Sequence, residues 1–295
     1  MIEYIISPAD DGLKTGSFLR KKGYSHQCLS SLRNSPGSLF RNGASCRMNE
    51  QLNTGDRLQI PIRETKKQEL SPWDHPLDTL YEDRDIILVN KEAGLPTHPS
   101  RKDQTRTLAN ALIFYYQKKG LPYIFRCSSR LDTDTSGIML LARHAISAGI
   151  IYNMTTHHEI KKEYICITKG QIYPPSGSIN VPLSRKPGAV LEMIPDEKDG
   201  LSALTHYELI SYLPGDLSLV KVWLETGRTH QIRVHMKYLG FPLIGDYLYN
   251  PGQNLISRQA LHCHKLSFSH PITGQNMSFE APLPYEFQKL TERIS

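Results

Sequence analysis

Ser128-Ser129-Arg130-Leu131-Asp132-Thr133-Asp134-Thr135-Ser136-Gly137 is a polar stretch that leads directly into the apolar segment Ile138-Met139-Leu140-Leu141-Ala142. The apolar segment predicts a buried strand. Asp, Thr and Ser in the preceding turn can bond the local backbone while a carboxylate reaches a cleft. Asp132 and Asp134 could be paired carboxylates, but residues on a turn need not face each other. An ordinary polar loop is the alternative interpretation of this stretch.

The chain around this stretch alternates between strands and helices. Short turns such as Pro214-Gly215 join neighbouring strands, which favours antiparallel pairing over a doubly wound parallel sheet. The fold class is therefore predicted as α+β, with a mixed, largely antiparallel sheet and flanking helices. Strands are predicted at 86–90, 137–142, 163–169, 204–211, 217–226, 261–269 and 277–280, and helices at 108–119, 144–155 and 229–239.

A second polar segment, Glu225-Thr226-Gly227-Arg228-Thr229-His230-Gln231-Ile232-Arg233-Val234-His235, follows an apolar strand. Thr229 is a candidate N-cap for the helix that the segment opens. Arg228, Gln231 and Arg233 crowd hydrogen-bond donors near the helix N-terminus, which suits an anionic ligand. A charged first turn with a solvated face is the alternative.

The N-terminal part of the chain carries the positive bias. Residues 12–62 hold eight Lys or Arg against two acids, whereas residues 63–295 hold 27 against 24, and the net charge is +6. A short helix ending at Gly23, a second helix opened by Ser25, an Asn42-Gly43 hairpin turn and a strand up to Ile62 predict a small ααββ domain. This basic unit is either a footprint for phosphates or a solvated surface. The predicted organisation is a domain at 1–62, a linker at 63–78 and a domain at 79–295.

Several classes of protein are excluded or disfavoured. The 295 residues include 39% hydrophobic and 22% charged residues, which is a globular composition. The five cysteines form no CxxC pair, which argues against a disulfide framework or zinc ribbon. No signal peptide or membrane-spanning run is visible, so we expect a cytoplasmic protein without a membrane partner. His262 and His264 share a strand face without a third ligand, so no metal site is predicted.

Taken together, these segments resemble the RluA family of pseudouridine synthases, which isomerise uridine in ribosomal RNA and sometimes in transfer RNA. The family's His-Arg-Leu-Asp-x-x-Thr-Ser-Gly run is matched from Arg130 to Gly137, with Ser129 in place of the usual His. A second family block is matched at 227–235 and continues at 240–246. Glu92 stands where the family usually has Pro. The resemblance covers residues 77–284 and includes further matches at 81–83, 90–96, 162–164, 261–262 and 270–271.

The resemblance implies a pseudouridine synthase fold and an isomerase, the RNA pseudouridine synthase, that needs no cofactor. Asp132 matches the catalytic aspartate, Tyr164 the tyrosine that stacks on the target base, and Arg233 the arginine that pairs with the aspartate. The positions expected to bind or position RNA are Arg130, Thr135, Arg228, His230 and Gln231. The base would have to be flipped out of its stem.

The implied partner is RNA, with large-subunit ribosomal RNA expected first and transfer RNA second, and monomer is the default oligomeric state. The N-terminal unit is similar to the small RNA-binding domain of ribosomal protein S-four, through Asn42-Gly43 and Gly55-Asp56. That similarity is degenerate, because Ser25-His26 replaces the usual Ser-Arg step. Two alternatives stay open: a non-catalytic RNA-binding protein on the same fold, and an aspartate-dependent glycosylase that releases the base.

Overall fold

Two sheets, of four and nine strands, organise the protein in the computed structural model, which describes residues 1–62, 68–101, 103–252 and 255–291. Part of the predicted linker, residues 63–67, lies outside the described residues. The described helices include none with the length and hydropathy needed to cross a bilayer.

The smaller sheet and two helices form the N-terminal unit. Its strands are ordered β1-β4-β2-β3 and all pairs are antiparallel. The predicted ααββ order omitted β1, whose buried Ile2 and Tyr4 pair with a strand more than 50 residues along the chain. Asn42 and Gly43 both have positive φ, as the predicted hairpin turn requires. The elements are β1 (Ile2–Ile5), α1 (Thr15–Lys21), α2 (His26–Asn34), β2 (Phe40–Arg41), β3 (Ala44–Ser45) and β4 (Arg57–Ile60).

The rest of the described chain builds the larger unit. Every strand and helix predicted here is present, with ends shifted by a few residues, whereas β5, β9, β10, β11 and α6 were not predicted. The elements are β5 (Thr79–Glu82), β6 (Ile86–Lys91), α3 (Leu108–Lys118), β7 (Ser136–Ala142), α4 (Ala145–Thr156), β8 (Lys161–Lys169), β9 (Ser176–Asn180), β10 (Leu183–Arg185), β11 (Met193–Pro195), β12 (Leu204–Leu213), β13 (Leu217–Leu224), α5 (Gln231–Tyr238), β14 (Leu261–Ser269), β15 (Asn276–Glu280) and α6 (Tyr285–Thr291).

The nine-stranded sheet is mixed and largely antiparallel, as predicted. Its order is β5-β6-β7-β14-β8-β13-β12-β9, with β15 beside β14, and β10 and β11 form a separate hairpin. Within the described residues the one parallel contact of this sheet joins β7 to β14, where Ser136 pairs with His262 and Gly137 with Cys263. Gly137 has φ of 116°, and a Cβ there would lie 2.3 Å from the carbonyl oxygen of Cys263. Only glycine lets the two strands approach this closely, which fixes the end of the polar stretch against β14.

The N-terminal unit packs on the larger unit through α2 and α4. Asn153 of α4 donates a 2.8 Å hydrogen bond to the carbonyl oxygen of Gly23. Gly23 lies against the side chain of Ile150. Buried apolar residues of both units belong to one continuous core. The basic unit is therefore held against the larger one by apolar burial as well as by the chain connection.

Candidate active site

Hydrogen bonds from outside the turn and within it hold the backbone of the polar stretch that contains Asp132. Four consecutive carbonyl oxygens each accept at least one bond of 2.9–3.1 Å. The pairs are Leu131 O with Thr97 Oγ1, Asp132 O with Thr135 N, Thr133 O with Lys91 Nζ and Gly94 N, and Asp134 O with Arg258 Nη1. A catalytic carboxylate must be held within a fraction of an ångström of its working position, and this network provides that support.

Lys91 is the buried cation beneath this turn. It is 1% exposed and donates to the carbonyl oxygens of Glu92, Leu95 and Thr133 at 2.8–2.9 Å. Burial lowers the pKa of its ammonium group to about 7. Lys91 thus ties the end of β6 to the turn that carries Asp132.

Arg233 connects Asp132 to a second carboxylate, that of Asp246. Its Nη1 donates to Asp132 Oδ2 at 3.2 Å, while Nε and Nη2 form a two-point contact with Asp246 at 2.7 and 2.8 Å. Burial alone would lower the pKa of the guanidinium. Hydrogen bonding and charge from Asp246, followed by Asp132, instead raise this pKa above its ordinary value. Asp132 is 29% exposed in its side chain and so faces both a fixed cation and the solvent-filled cleft.

The local structure of the second polar segment explains why Arg233 points inward. The predicted N-cap at Thr229 is wrong: α5 begins at Gln231, and His230 occupies the N-cap position with φ of 55° and no side-chain cap bond. Gln231 Oε1 accepts from Arg228 N and Thr226 Oγ1, both at 2.9 Å. These bonds close the turn before the helix, so that Arg233 enters the core in the first turn of α5.

His230 lies on the other side of Asp132. Its Nε2 is 3.8 Å from Asp132 Oδ2, and its Nδ1 is 2.9 Å from the hydroxyl of Tyr249. That hydroxyl accepts a bond from Met193 N, so its own hydrogen is available to Nδ1. Burial lowers the pKa of His230 in spite of the Asp132 charge.

Tyr164 is buried, with 6% exposure, on β8 opposite Cys263 of β14. Burial, followed by the neighbouring Cys263 and the charge of Asp132, raises the pKa of its phenol well above the ordinary value. The thiol of Cys263 lies close to this hydroxyl. At neutral pH the ring is thus a neutral aromatic wall near Asp132.

All eight site residues predicted from the sequence line one cleft. Arg130 is exposed at its edge. Arg228 donates from Nε to the carbonyl oxygen of Ser202 at 3.0 Å, and Gln259 Nε2 donates to Thr135 Oγ1 at 3.3 Å. The set is Arg130, Asp132, Thr135, Tyr164, Arg228, His230, Gln231 and Arg233.

Besides Lys91, three supporting residues were not singled out from the sequence. Asp246 stood inside the matched block at 240–246, and Gly245 before it approaches the backbone of Arg258 so closely that a Cβ would lie 2.0 Å from its carbonyl oxygen. Tyr249 orients His230, and Arg258 holds Asp134 O. The sequence signal available for Asp246 was the Gly245-Asp246 pair at the end of the matched block. No sequence signal indicated Tyr249 or Arg258, because their supporting roles depend on contacts that form only in the fold.

The two histidines considered as metal ligands, His262 and His264, each have one ring nitrogen beside a protein group. His262 Nδ1 is 2.9 Å from Ser136 Oγ, and His264 Nδ1 is 2.7 Å from the carbonyl oxygen of Ala281. The described residues contain one cluster of three potential metal ligands, Asp83, Asp85 and His270. His270 Nδ1 accepts from two backbone N–H groups, so Nε2 carries the proton, 3.0 Å from Asp83.

The family match to known proteins spans the segment that contains these site residues. The sequence pattern of the family described as RNA pseudouridylate synthase matches residues 85–238, which include Asp132, Tyr164 and Arg233. The chain belongs to this family. Family membership identifies it as an RNA pseudouridine synthase, an isomerase, and the α+β fold predicted above is the pseudouridine synthase fold.

Relatives of the family cover most of this synthase. The uncharacterised RNA pseudouridine synthase YjbO of Bacillus subtilis (strain 168) is 38% identical over 91% of this chain and 94% of its own length. The ribosomal large subunit pseudouridine synthase D of Xanthomonas campestris pv. campestris is 33% identical over 88% of this chain and 81% of its own. The solved structure of human RNA pseudouridylate synthase domain containing 1 has a TM-score of 0.60 and 27% identity, covering 71% of this chain and 84% of that one.

Proposed function

We propose that this synthase converts specific uridines of large-subunit ribosomal RNA to pseudouridine, with Asp132 as the reacting carboxylate. The observation that carries the proposal is the Asp132–Arg233–Asp246 chain of contacts. A guanidinium already neutralised by a buried aspartate can support a second, half-exposed carboxylate without leaving a net positive charge in the core.

The reaction needs little besides that carboxylate. The glycosidic bond from N1 of uracil to the ribose is broken, the base rotates, and carbon 5 is joined to the ribose while its proton is lost and N1 regains one. Atoms and electrons balance without a redox partner or transferred group. A carboxylate can begin by attacking the ribose, by attacking the base or by removing a ribose proton, and each route requires Asp132 to be ionised.

The other cleft residues fit the handling of a loose base. The Tyr164 ring offers a stacking face, which tolerates rotation because stacking does not depend on fixed hydrogen bonds. Arg130 and Arg228 lie at the cleft and provide cationic groups for RNA outside the pocket. Gln231 and Thr135 are largely bonded within the protein, so their role in the proposal is to shape the wall. His230, with Nε2 3.8 Å from Asp132 Oδ2, is placed beside the carboxylate.

Large-subunit ribosomal RNA is proposed because the relative from Xanthomonas campestris is named for that substrate. The excess of basic residues at 12–62 supports a large polyanionic partner. Transfer RNA is the second candidate substrate. We further propose that the protein works in the cytoplasm and as a monomer.

The experiment is to map carbodiimide-modified pseudouridines in ribosomal and transfer RNA from cells with and without this gene. Loss of a pseudouridine in large-subunit RNA supports the proposal, and loss only in transfer RNA reassigns the substrate. A glycosylase would release free uracil, whereas the isomerase leaves the RNA mass unchanged. A non-catalytic RNA-binding protein would change neither map.

A further inference from the structure

Lys162 is a partly buried cation beside the cleft. It lies on β8 two residues before Tyr164, so both side chains leave the same face of the strand. Its ammonium donates a 2.6 Å hydrogen bond to the hydroxyl of Ser129. Within the described part of the chain, no carboxylate lies within 4.0 Å of Lys162 Nζ. Burial lowers the pKa of this group, and the groups that oppose the shift are the thiols of Cys263 and Cys127.

Arg130 is a second cation at the same place. It follows Ser129, lines the cleft and is exposed. Among the described residues it has no ion-pair partner within 4.0 Å. Both Arg130 and Lys162 lower the pKa of the Cys127 thiol, which burial raises, so both charges lie near that sulfur. Ser129, Arg130 and Lys162 are called the basic corner below.

Two buried arginines of this protein are matched by acids, and the buried ammonium group of Lys91 is matched by three carbonyl oxygens. Arg233 is paired with Asp246, and Arg258 donates two bonds to Glu286, at 2.6 and 2.8 Å. A buried charge without an opposite charge is costly unless a partner is supplied. Among the described residues, Lys162 has neither an acid nor a set of carbonyl oxygens, because the hydrogen bond of its ammonium group goes to the Ser129 hydroxyl. This arrangement at the edge of the cleft indicates that the counter-charge of Lys162 comes from a bound molecule.

We propose that the basic corner binds a backbone phosphate of the RNA next to the target uridine. This inference rests on the proposed function, because Asp132 defines where the uridine lies. Lys162 supplies a point charge, and Arg130 a two-point donor suited to phosphate. The hydroxyl of Ser129 accepts from Lys162 and keeps its own hydrogen for a phosphate oxygen. Phosphate contacts set the register of a nucleic acid, so this subsite positions the nucleotide whose base enters the cleft.

The test compares Lys162→Met with Lys161→Met. Both substitutions remove one positive charge, but Lys161 is exposed and leaves the opposite face of β8. Binding to an in vitro transcript of large-subunit ribosomal RNA, and to a transfer RNA transcript, is measured between 50 and 200 mM salt. One lost phosphate contact lowers the log–log salt slope by about 0.7 to 0.9. Lys162→Met should show this decrease and bind about tenfold more weakly, whereas Lys161→Met should keep the wild-type slope.

Turnover of the same RNA, labelled with tritium at carbon 5 of uridine, separates positioning from chemistry. Lys162→Met should raise KM about tenfold and leave kcat within about twofold, and Lys162→Arg should restore KM. Equal slopes for the two methionine variants would overturn the phosphate subsite, as would a loss of kcat at unchanged KM.

Ser129→Ala covers the case in which Lys162→Met fails to fold. This variant keeps both cations and should bind RNA about threefold more weakly, because the hydroxyl donor is lost. If Ser129→Ala bound RNA with wild-type affinity, the subsite as stated would be refuted. The proposed function can fail separately from the subsite. If Lys162→Met lowers the salt slope relative to wild type but the wild-type protein releases no tritium, the phosphate subsite stands and the assignment of Asp132 as the reacting carboxylate of an isomerase is wrong.

Discussion

Asp246 holds Arg233 by two hydrogen bonds, at 2.7 Å to Nε and 2.8 Å to Nη2, and leaves Nη1 for the cleft. Asp246 has no exposed side-chain surface and also accepts bonds from the backbone N–H groups of Leu248 and Tyr249 at 3.1 Å. The guanidinium therefore has one orientation, set from behind by a residue that does not line the cleft. The position of Asp132 depends on this support.

Asp246→Asn should lower both stability and activity. It removes a buried negative charge opposite Arg233, and breaking a buried ion pair from one side costs about 3 kcal/mol or more in the free energy of unfolding. A guanidinium displaced by even 1 Å from Asp132 should reduce kcat by about 100-fold. Urea unfolding and tritium release measure the two effects. Asp74→Asn, at an exposed aspartate, is the matched control and should change neither; a fully active Asp246→Asn would contradict the supporting role.

The positions of Asp132, Tyr164 and Arg233 were accessible from the sequence because each falls in a block of fixed spacing. The start of α5 could not be predicted in this way. It depends on hydrogen bonds from Thr226 and Arg228 to the Gln231 side chain, and these bonds override the capping preference of Thr229. Short strands such as β1 and β9 were also missed. Their partners β4 and β12 lie tens of residues away, and local pattern alone does not encode that pairing.

Tyr164→Phe should keep most of the activity and Tyr164→Ala should lose most of it. The raised pKa of the hydroxyl keeps it protonated at neutral pH, so the ring rather than the phenolate is available to the base. Tritium release by both variants, with folding checked by circular dichroism, decides the point. A Phe variant as poor as Ala would mean that the hydroxyl takes part in proton transfer. Wild-type rates in both would remove Tyr164 from the site.

Removing charge from the N-terminal unit should weaken RNA binding without changing the chemistry. Deleting the unit would expose the apolar core it shares with α4, so substitution of exposed residues is the cleaner test. Arg20→Ala with Arg33→Ala, both on exposed helix positions, should reduce the salt slope by up to about 1.8, since each phosphate contact contributes about 0.9. Lys118→Ala with Lys198→Ala removes the same charge elsewhere and should have less effect. If the two double variants had the same salt slope of RNA binding, the N-terminal unit would be a structural appendage without a role in RNA binding.

Asp132→Asn should abolish pseudouridine formation and leave RNA affinity within about tenfold, or about 1.4 kcal/mol. Asparagine keeps the size and shape of the side chain but can act neither as nucleophile nor as base. Asp134→Asn is the matched control, because that side chain does not line the cleft, and the contact that Asp134 makes with Arg258 uses its carbonyl oxygen, which the substitution retains. It should therefore be much milder. Tritium release from RNA labelled at carbon 5 of uridine reports both variants, and binding of the same RNA confirms that Asp132→Asn is folded. If Asp132→Asn turned over at the wild-type rate, or Asp134→Asn were the inactive variant, the carboxylate held by Arg233 would not be the one that reacts.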